Sequence, residues 1–138
     1  MNRRAFLAYS CATIVGATFV GCGPKAPYDL VPIKGVATYN GKPLPEGFTI
    51  QFEPADGSRP SIAKIGPDGS FEAIHTASQK GVKPGSNAVV VYWNDPPEVN
   101  PVPEEFSALV KKYGFTGTDK MTVDISKKDA NFKVEFTD

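Results

Sequence analysis

Ser86-Asn87-Ala88-Val89-Val90-Val91-Tyr92-Trp93 is the stretch that decides the fold class. At the two-residue repeat of an extended chain, Val89, Val91 and Trp93 fall on one face and Ala88, Val90 and Tyr92 on the other. Both faces are apolar, as in a strand that lies inside a sheet and is covered on both sides. Upstream, Phe48, Ile50 and Phe52 alternate with Thr49, Gln51 and Glu53, which predicts a half-buried strand. Downstream, Met121, Val123 and Ile125 alternate with polar residues, and so do Phe132, Val134 and Phe136.

Turn chemistry punctuates these runs. Residues 33–39 form a predicted strand that ends at Asn40-Gly41, a pair that favours positive φ at both positions and so a tight hairpin. Two short strands, 61–65 and 70–76, flank Gly66-Pro67-Asp68-Gly69, where Pro and Asp-Gly specify a turn. One helix is predicted near 103–113. Pro103 suits its first position, Glu104 and Glu105 complement the positive end of its dipole, and Lys111, Lys112 and Gly114 mark its end. Phe106, Leu109, Val110 and Tyr113 form its apolar stripe, expected to cover the face of the central strand bearing Val89, Val91 and Trp93. About seven short strands with regular turn signals read as an all-β, antiparallel β-sandwich.

Composition is consistent with one globular domain. The 138 residues carry 15 basic and 15 acidic side chains and are 41% hydrophobic. A chain of zero net charge has no basic footprint for nucleic acid, and no such partner is expected.

The N-terminus differs from the rest. Arg3 and Arg4 precede fifteen uncharged residues, Phe6 to Val20, and the run ends in Phe19-Val20-Gly21-Cys22. That run is short of the ~20 residues a membrane-spanning helix needs and has the length of a signal-peptide core. The small residue before Cys22 resembles the lipobox of bacterial lipoproteins. The resemblance implies cleavage between Gly21 and Cys22 and a lipid on the Cys22 thiol, with further acylation, as by palmitate, of the new N-terminus. Phe19 and Val20 depart from the commonest lipobox residues. Asn2-Arg3-Arg4-Ala5-Phe6-Leu7 also resembles the twin-arginine export signature, so the export route stays open.

The expected organisation is therefore a lipoprotein signal peptide at 1–21, a flexible tether at 22–31 and a sandwich at 32–138. Removing residues 1–21 leaves 117 residues with a net charge of −2 and a single cysteine, Cys22. No intrachain disulfide is then available, and a packed core must supply the stability. The expected location is outside the cytoplasm, lipid-anchored to a bacterial membrane and facing the periplasm or the cell exterior.

A longer series of motifs carries a second resemblance. Gly35-Val36 followed by Asn40-Gly41-Lys42-Pro43-Leu44, then Ile50-x-Phe52-x-Pro54, Asp68-Gly69-Ser70-Phe71, and Lys83-Pro84-Gly85 before Val89-x-Val91 is similar to the carboxypeptidase regulatory-like, transthyretin-related (prealbumin-like) sandwich of many bacterial lipoproteins. Val102-Pro103-x-x-Phe106 and Asn131-Phe132 match the same pattern. Gly66-Pro67 departs from it, leaving Asp68 as that turn's obvious carboxylate and weakening any idea of calcium there. The resemblance implies an accessory, adhesive or binding module rather than a catalyst. Its enzymatic relatives, the hydroxyisourate hydrolases, use several His and Arg and a C-terminal Tyr-Arg-Gly-Ser. This chain has one histidine, His75, keeps only Arg59 after cleavage, and ends Phe136-Thr137-Asp138.

Residue by residue, no catalytic, cofactor or metal site is expected. His75 reads as a strand-end residue, since one imidazole cannot build a metal site and no spacing selects a Ser-His-acid trio. Asp56 and Asp68 read as turn residues. Glu104 and Glu105, being adjacent, do not face each other on a helix. The candidate ligand surface is Tyr92, Trp93 and Asn94 beside the loop Asp95-Pro96-Pro97-Glu98, although periodicity favours Trp93 in the core. The expected function is a non-enzymatic, membrane-tethered binding or assembly module with an envelope protein or polysaccharide as partner. The alternatives are a glycan-binding module using Tyr92 and Trp93, or a small envelope hydrolase with an unrecognised site.

Overall fold

The computed structural model describes residues 26–138. The expected signal peptide, the Gly21–Cys22 cleavage point and the first part of the tether lie outside the described residues. The rest is an all-β sandwich of two sheets with one short helix.

Ten strands alternate with turns. They are β1 (Ile33–Tyr39), β2 (Lys42–Pro43), β3 (Phe48–Pro54), β4 (Ser61–Lys64), β5 (Ser70–Glu72), β6 (Ile74–Thr76), β7 (Gln79–Lys80), β8 (Gly85–Trp93), β9 (Met121–Ile125) and β10 (Asp129–Phe136). A 3-10 turn, Glu104–Phe106, leads into α1 (Ser107–Tyr113). The smaller sheet runs β10-β1-β2, with β5 also pairing β1; the larger runs β7-β6-β4-β3-β8-β9. The apolar strand is thus interior, held between β3 and β9 as its sequence requires.

Register sorts the core. Phe48 lies opposite Trp93, Ile50 opposite Val91 and Phe52 opposite Val89. Directly opposed residues share a face, so these six side chains form the inner surface of the larger sheet. It packs against Ala37, Tyr39, Val134 and Phe136 of the smaller sheet in one continuous core. At Asn40-Gly41 both φ angles are positive, 49° and 81°, as the predicted hairpin demands.

Three features depart from the expectations. First, the face bearing Val89, Val91 and Trp93, expected under the helix, is the inner one, and the helix meets it between the sheets: Phe106 packs on Phe48, opposite Trp93 in the larger sheet, and on Tyr39 of the smaller, at ring-centroid distances of 5.7 and 6.1 Å. The helix therefore closes one open end of the sandwich, with Phe106 and Leu109 buried as expected. An end between two sheets exposes apolar edges to water from both layers, and a single apolar stripe covers both. Second, the segment 70–76 breaks at Ala73. Its first half, β5, joins β1 and its second half, β6, joins β4. Ala73 bonds to both layers, donating to the Ile33 carbonyl (3.0 Å) and accepting from the Gly81 N–H (2.8 Å), and its small side chain fits the buried crossing. Third, the pairing of β1 with β10 is parallel, whereas the other strand-to-strand pairings among the described residues are antiparallel.

That parallel pair contains a bulge. The register steps from Ile33↔Asp129 to Gly35↔Phe132, so β10 carries an extra residue. The displaced Asn131 N–H is taken up by the Asp129 carboxylate at 2.8 Å. The Phe132 backbone is thereby pushed over Gly35, where a Cβ would sit 1.6 Å from the Phe132 carbonyl oxygen. Only glycine fits this close approach.

Candidate functional site

The residues singled out as a ligand surface do not share a face. Trp93 is on the inner side, edge-on to Phe48 at 4.8 Å, and its Nε1 donates to the Asn100 carbonyl at 2.7 Å. It also fills the space beside Gly47, where a Cβ would lie 2.5 Å from the indole. Tyr92 points outward and stacks on Phe115 at 5.1 Å, 30° from parallel. Asn94 is exposed at the strand end and accepts from the Thr49 hydroxyl at 2.7 Å. The exposed aromatic surface is therefore Tyr92 with Phe115, the latter 62% exposed, and not Tyr92 with Trp93. Phe115 sits in a Gly/Thr loop where no periodicity marks it.

Asp56 and Asp68 hold their turns as expected, accepting from the Ser58 and Ser70 N–H groups at 3.0 and 3.2 Å. The Lys83 ammonium, and then the Ser58 hydroxyl and N–H, hold the Asp56 carboxyl below the ordinary carboxylate range, and the Ser70 hydroxyl and N–H lower Asp68 in the same way. Glu105 pairs with Lys42 at 2.8 Å across an exposed surface, an interaction worth well under ~1 kcal/mol. No group of three metal-ligating side chains occurs among the described residues.

His75 is more than a strand end. The residue is 6% exposed; Nδ1 lies 3.0 Å from the buried Ser61 hydroxyl and Nε2 lies 3.4 Å from the Tyr28 hydroxyl. A neutral imidazole donates from one nitrogen and accepts at the other, so two hydroxyls satisfy it in either tautomer. Tyr28 is edge-on to the imidazole at 5.8 Å, and the Lys83 ammonium sits 4.5 Å from the Tyr28 ring centroid.

Tyr28 belongs to the segment expected to be a flexible tether, and residues 26–31 are instead docked on the sandwich. Ala26, Tyr28 and Leu30 are half-buried while Pro27 and Asp29 are exposed, the alternation of an extended chain lying on a surface. The Ala26 N–H donates to the Gln79 side chain at 3.0 Å, and Val31 and Val82 exchange backbone hydrogen bonds of 2.8 and 2.9 Å. Gly81, at φ 114°, lets the Val31 backbone approach; a Cβ there would lie 2.7 Å from its carbonyl oxygen. Backbone pairing and a half-buried aromatic give residues 26–31 partners that a free linker lacks.

The Ser61–His75 contact brings a hydroxyl and an imidazole together, yet it is not arranged for catalysis. Ser61 is 1% exposed, out of reach of a substrate, and the second ring nitrogen meets a tyrosine where a triad places a carboxylate. Its chemical consequence is pH dependence. Burial, and then the nearby Arg59 guanidinium, holds the imidazole below its ordinary pKa. Below about pH 6.5 the unfolded chain then binds more protons than the folded one, so stability falls as pH falls through that window. The depressed carboxylates act with the same sign only below about pH 4.5. Urea midpoints measured at about pH 7.5 and 5.5 are expected to differ in the wild type and to converge in His75→Gln. A difference that survives the substitution contradicts this role for His75.

Beside His75, on the outer face of the larger sheet, lies a cleft of about 330 Å³ lined by Arg59, Ile62, Lys64, Ile74 and Thr76. A second cleft, of about 410 Å³, follows the β10 bulge between Lys34 and Lys133. Both are open grooves over a filled core. No protein family, characterised protein or solved structure matches this chain.

Proposed function

We propose that the protein is a non-enzymatic lipoprotein of the cell envelope, anchored through a lipid on Cys22, whose β-sandwich serves as a binding or assembly module. The observation that carries the anchor is the N-terminal sequence: Arg3 and Arg4, an uncharged run from Phe6 to Val20, and Gly21 directly before Cys22. Two or three acyl chains at ~0.8 kcal/mol per buried CH₂ hold a chain durably on a membrane. Among the described residues no helix is long and apolar enough to span a membrane, so attachment by this reading falls to the lipid.

The resemblance to carboxypeptidase regulatory-like, transthyretin-related sandwiches supports a binding role, as do the filled core and the open clefts. Several titratable groups converging in a deep pocket would favour a hydrolase. Here the buried Ser61 and His75 are satisfied by each other and by Tyr28.

The test is the intact mass of the membrane-extracted protein, with Cys22→Ser as the control. The wild type is expected to lack residues 1–21 and to carry acyl mass. The variant is expected to lack acyl mass and to leave the membrane fraction or remain uncleaved. An acylated Cys22→Ser protein would place the lipid elsewhere and overturn the assignment.

A further inference from the structure

We propose that the cleft between Arg59 and Lys64 receives the anionic headgroup of a phospholipid in the membrane that anchors the chain; the inference rests on the lipid-anchor reading above. Three observations converge on it. The first is reach. Cys22 precedes Ala26 by four residues and Tyr28 by six, so a lipid on Cys22 lies within ~14 Å of the Ala26 contact and ~21 Å of Tyr28. Because residues 26–31 are docked, this distance belongs to the domain itself and not to a swinging linker.

The second observation is continuity. Ala26 donates to the Gln79 side chain, Gln79 lies opposite Thr76 on the neighbouring strand, and Thr76 lines the cleft, so the chain arrives from its anchor at the strand pair that borders the cleft. The third is chemistry. Ile62 and Ile74 are cross-strand partners and share the outer face, giving the cleft an apolar floor. Arg59 and Lys64 are both exposed at its rim, and among the described residues neither forms a salt bridge, so both cations are open to an anion. Two unengaged cations over an apolar floor match a phosphate ester whose glycerol and first acyl carbons lie against isoleucine. Arg offers the phosphate a bidentate fork and Lys a point charge.

The experiment uses the full chain, expressed with its N-terminus intact, extracted and reconstituted into phosphatidylcholine vesicles with or without phosphatidylglycerol bearing a photoactivatable headgroup. Crosslinked peptides are mapped by mass spectrometry, and acylation of Cys22 is read on the same sample. The expected result is labelling within residues 59–64 and 74–77 that falls about tenfold in Arg59→Gln/Lys64→Gln. Both substitutions are at exposed positions, and unchanged circular dichroism shows that the variant folds. Labelling that maps elsewhere, such as around Tyr92 and Phe115, or that is indifferent to the double substitution, overturns the proposal. An acylated protein without labelling at the cleft overturns it and leaves the anchor standing. A labelled but unacylated protein supports the headgroup site and removes the anchor.

Discussion

Gly35→Val is expected to abolish the native sandwich, with Gly35→Ala as a graded partner that costs at least about 3 kcal/mol. The reason is backbone and not side chain. A Cβ at position 35 falls 1.6 Å from the Phe132 carbonyl oxygen and 2.6 Å from its carbonyl carbon, distances at which something must move. The obstacle cannot rotate away, because it is main chain of the neighbouring strand. Moving it means undoing the bulge that sets the register of β10 from Phe132 to Phe136 against β1. That register places Val134 and Phe136 in the core, and slipping by one residue would turn Lys133 and Glu135 inward. Far-UV circular dichroism and urea denaturation provide the measurement. A Gly35→Val protein with a wild-type spectrum and midpoint would contradict the close approach.

Phe106→Ala is expected to cost ~3–5 kcal/mol, the range for emptying a buried phenylalanine site. Phe106 is 4% exposed and touches both layers, at Tyr39 and at Phe48, so its loss opens the end of the sandwich rather than one sheet. Neighbours in the same core are fixed and limit collapse into the space: Trp93, edge-on to Phe48, is held by its hydrogen bond to Asn100, and Tyr113, packed on Phe136, by donation to the Thr137 carbonyl at 2.8 Å. A cavity that cannot relax carries the full cost. The check is a fall in urea midpoint at unchanged slope. A loss below about 1 kcal/mol, the usual surface range, would show that the helix is an ornament on the sandwich and not its lid.

The strands that are legible in the sequence are those whose evidence is local. Phe48 to Phe52 and Ala88 to Trp93 announce themselves by period, and Asn40-Gly41 by turn chemistry. The stripe Phe106, Leu109, Val110, Tyr113 reveals which side of the helix is buried, but not that it faces the end of two sheets, because that depends on where β1 and β3 stop. The break at Ala73 is silent for the same reason: alternation runs smoothly through Phe71, Ala73 and His75, and only the partner strands differ. The parallel union of the first and last strands involves residues about a hundred positions apart, and its one local trace is a glycine, Gly35, inside a strand pattern.

The site follows the same division. Asp56 and Asp68 bond within two residues and are readable from the chain. His75 finds Ser61 fourteen residues back and Tyr28 forty-seven back, and no spacing predicts either. The docked segment left a faint sign, Ala26, Tyr28 and Leu30 at alternate positions, masked by Pro24 and Pro27 and by the small number of apolar residues. Tyr92 and Trp93 were separable by parity alone, while Phe115 gains its place beside Tyr92 only through the path of the loop after α1.

Each of these placements, the docked tether above all, acquires its functional meaning from what happens at Cys22. The intact mass of the native protein drawn from the membrane tests this most directly. A species that starts at Cys22 and exceeds its polypeptide mass by a diacylglycerol, with or without a further acyl chain, is the predicted result. A species that starts at Met1, carries no added mass and separates from the membrane in buffer would contradict the account.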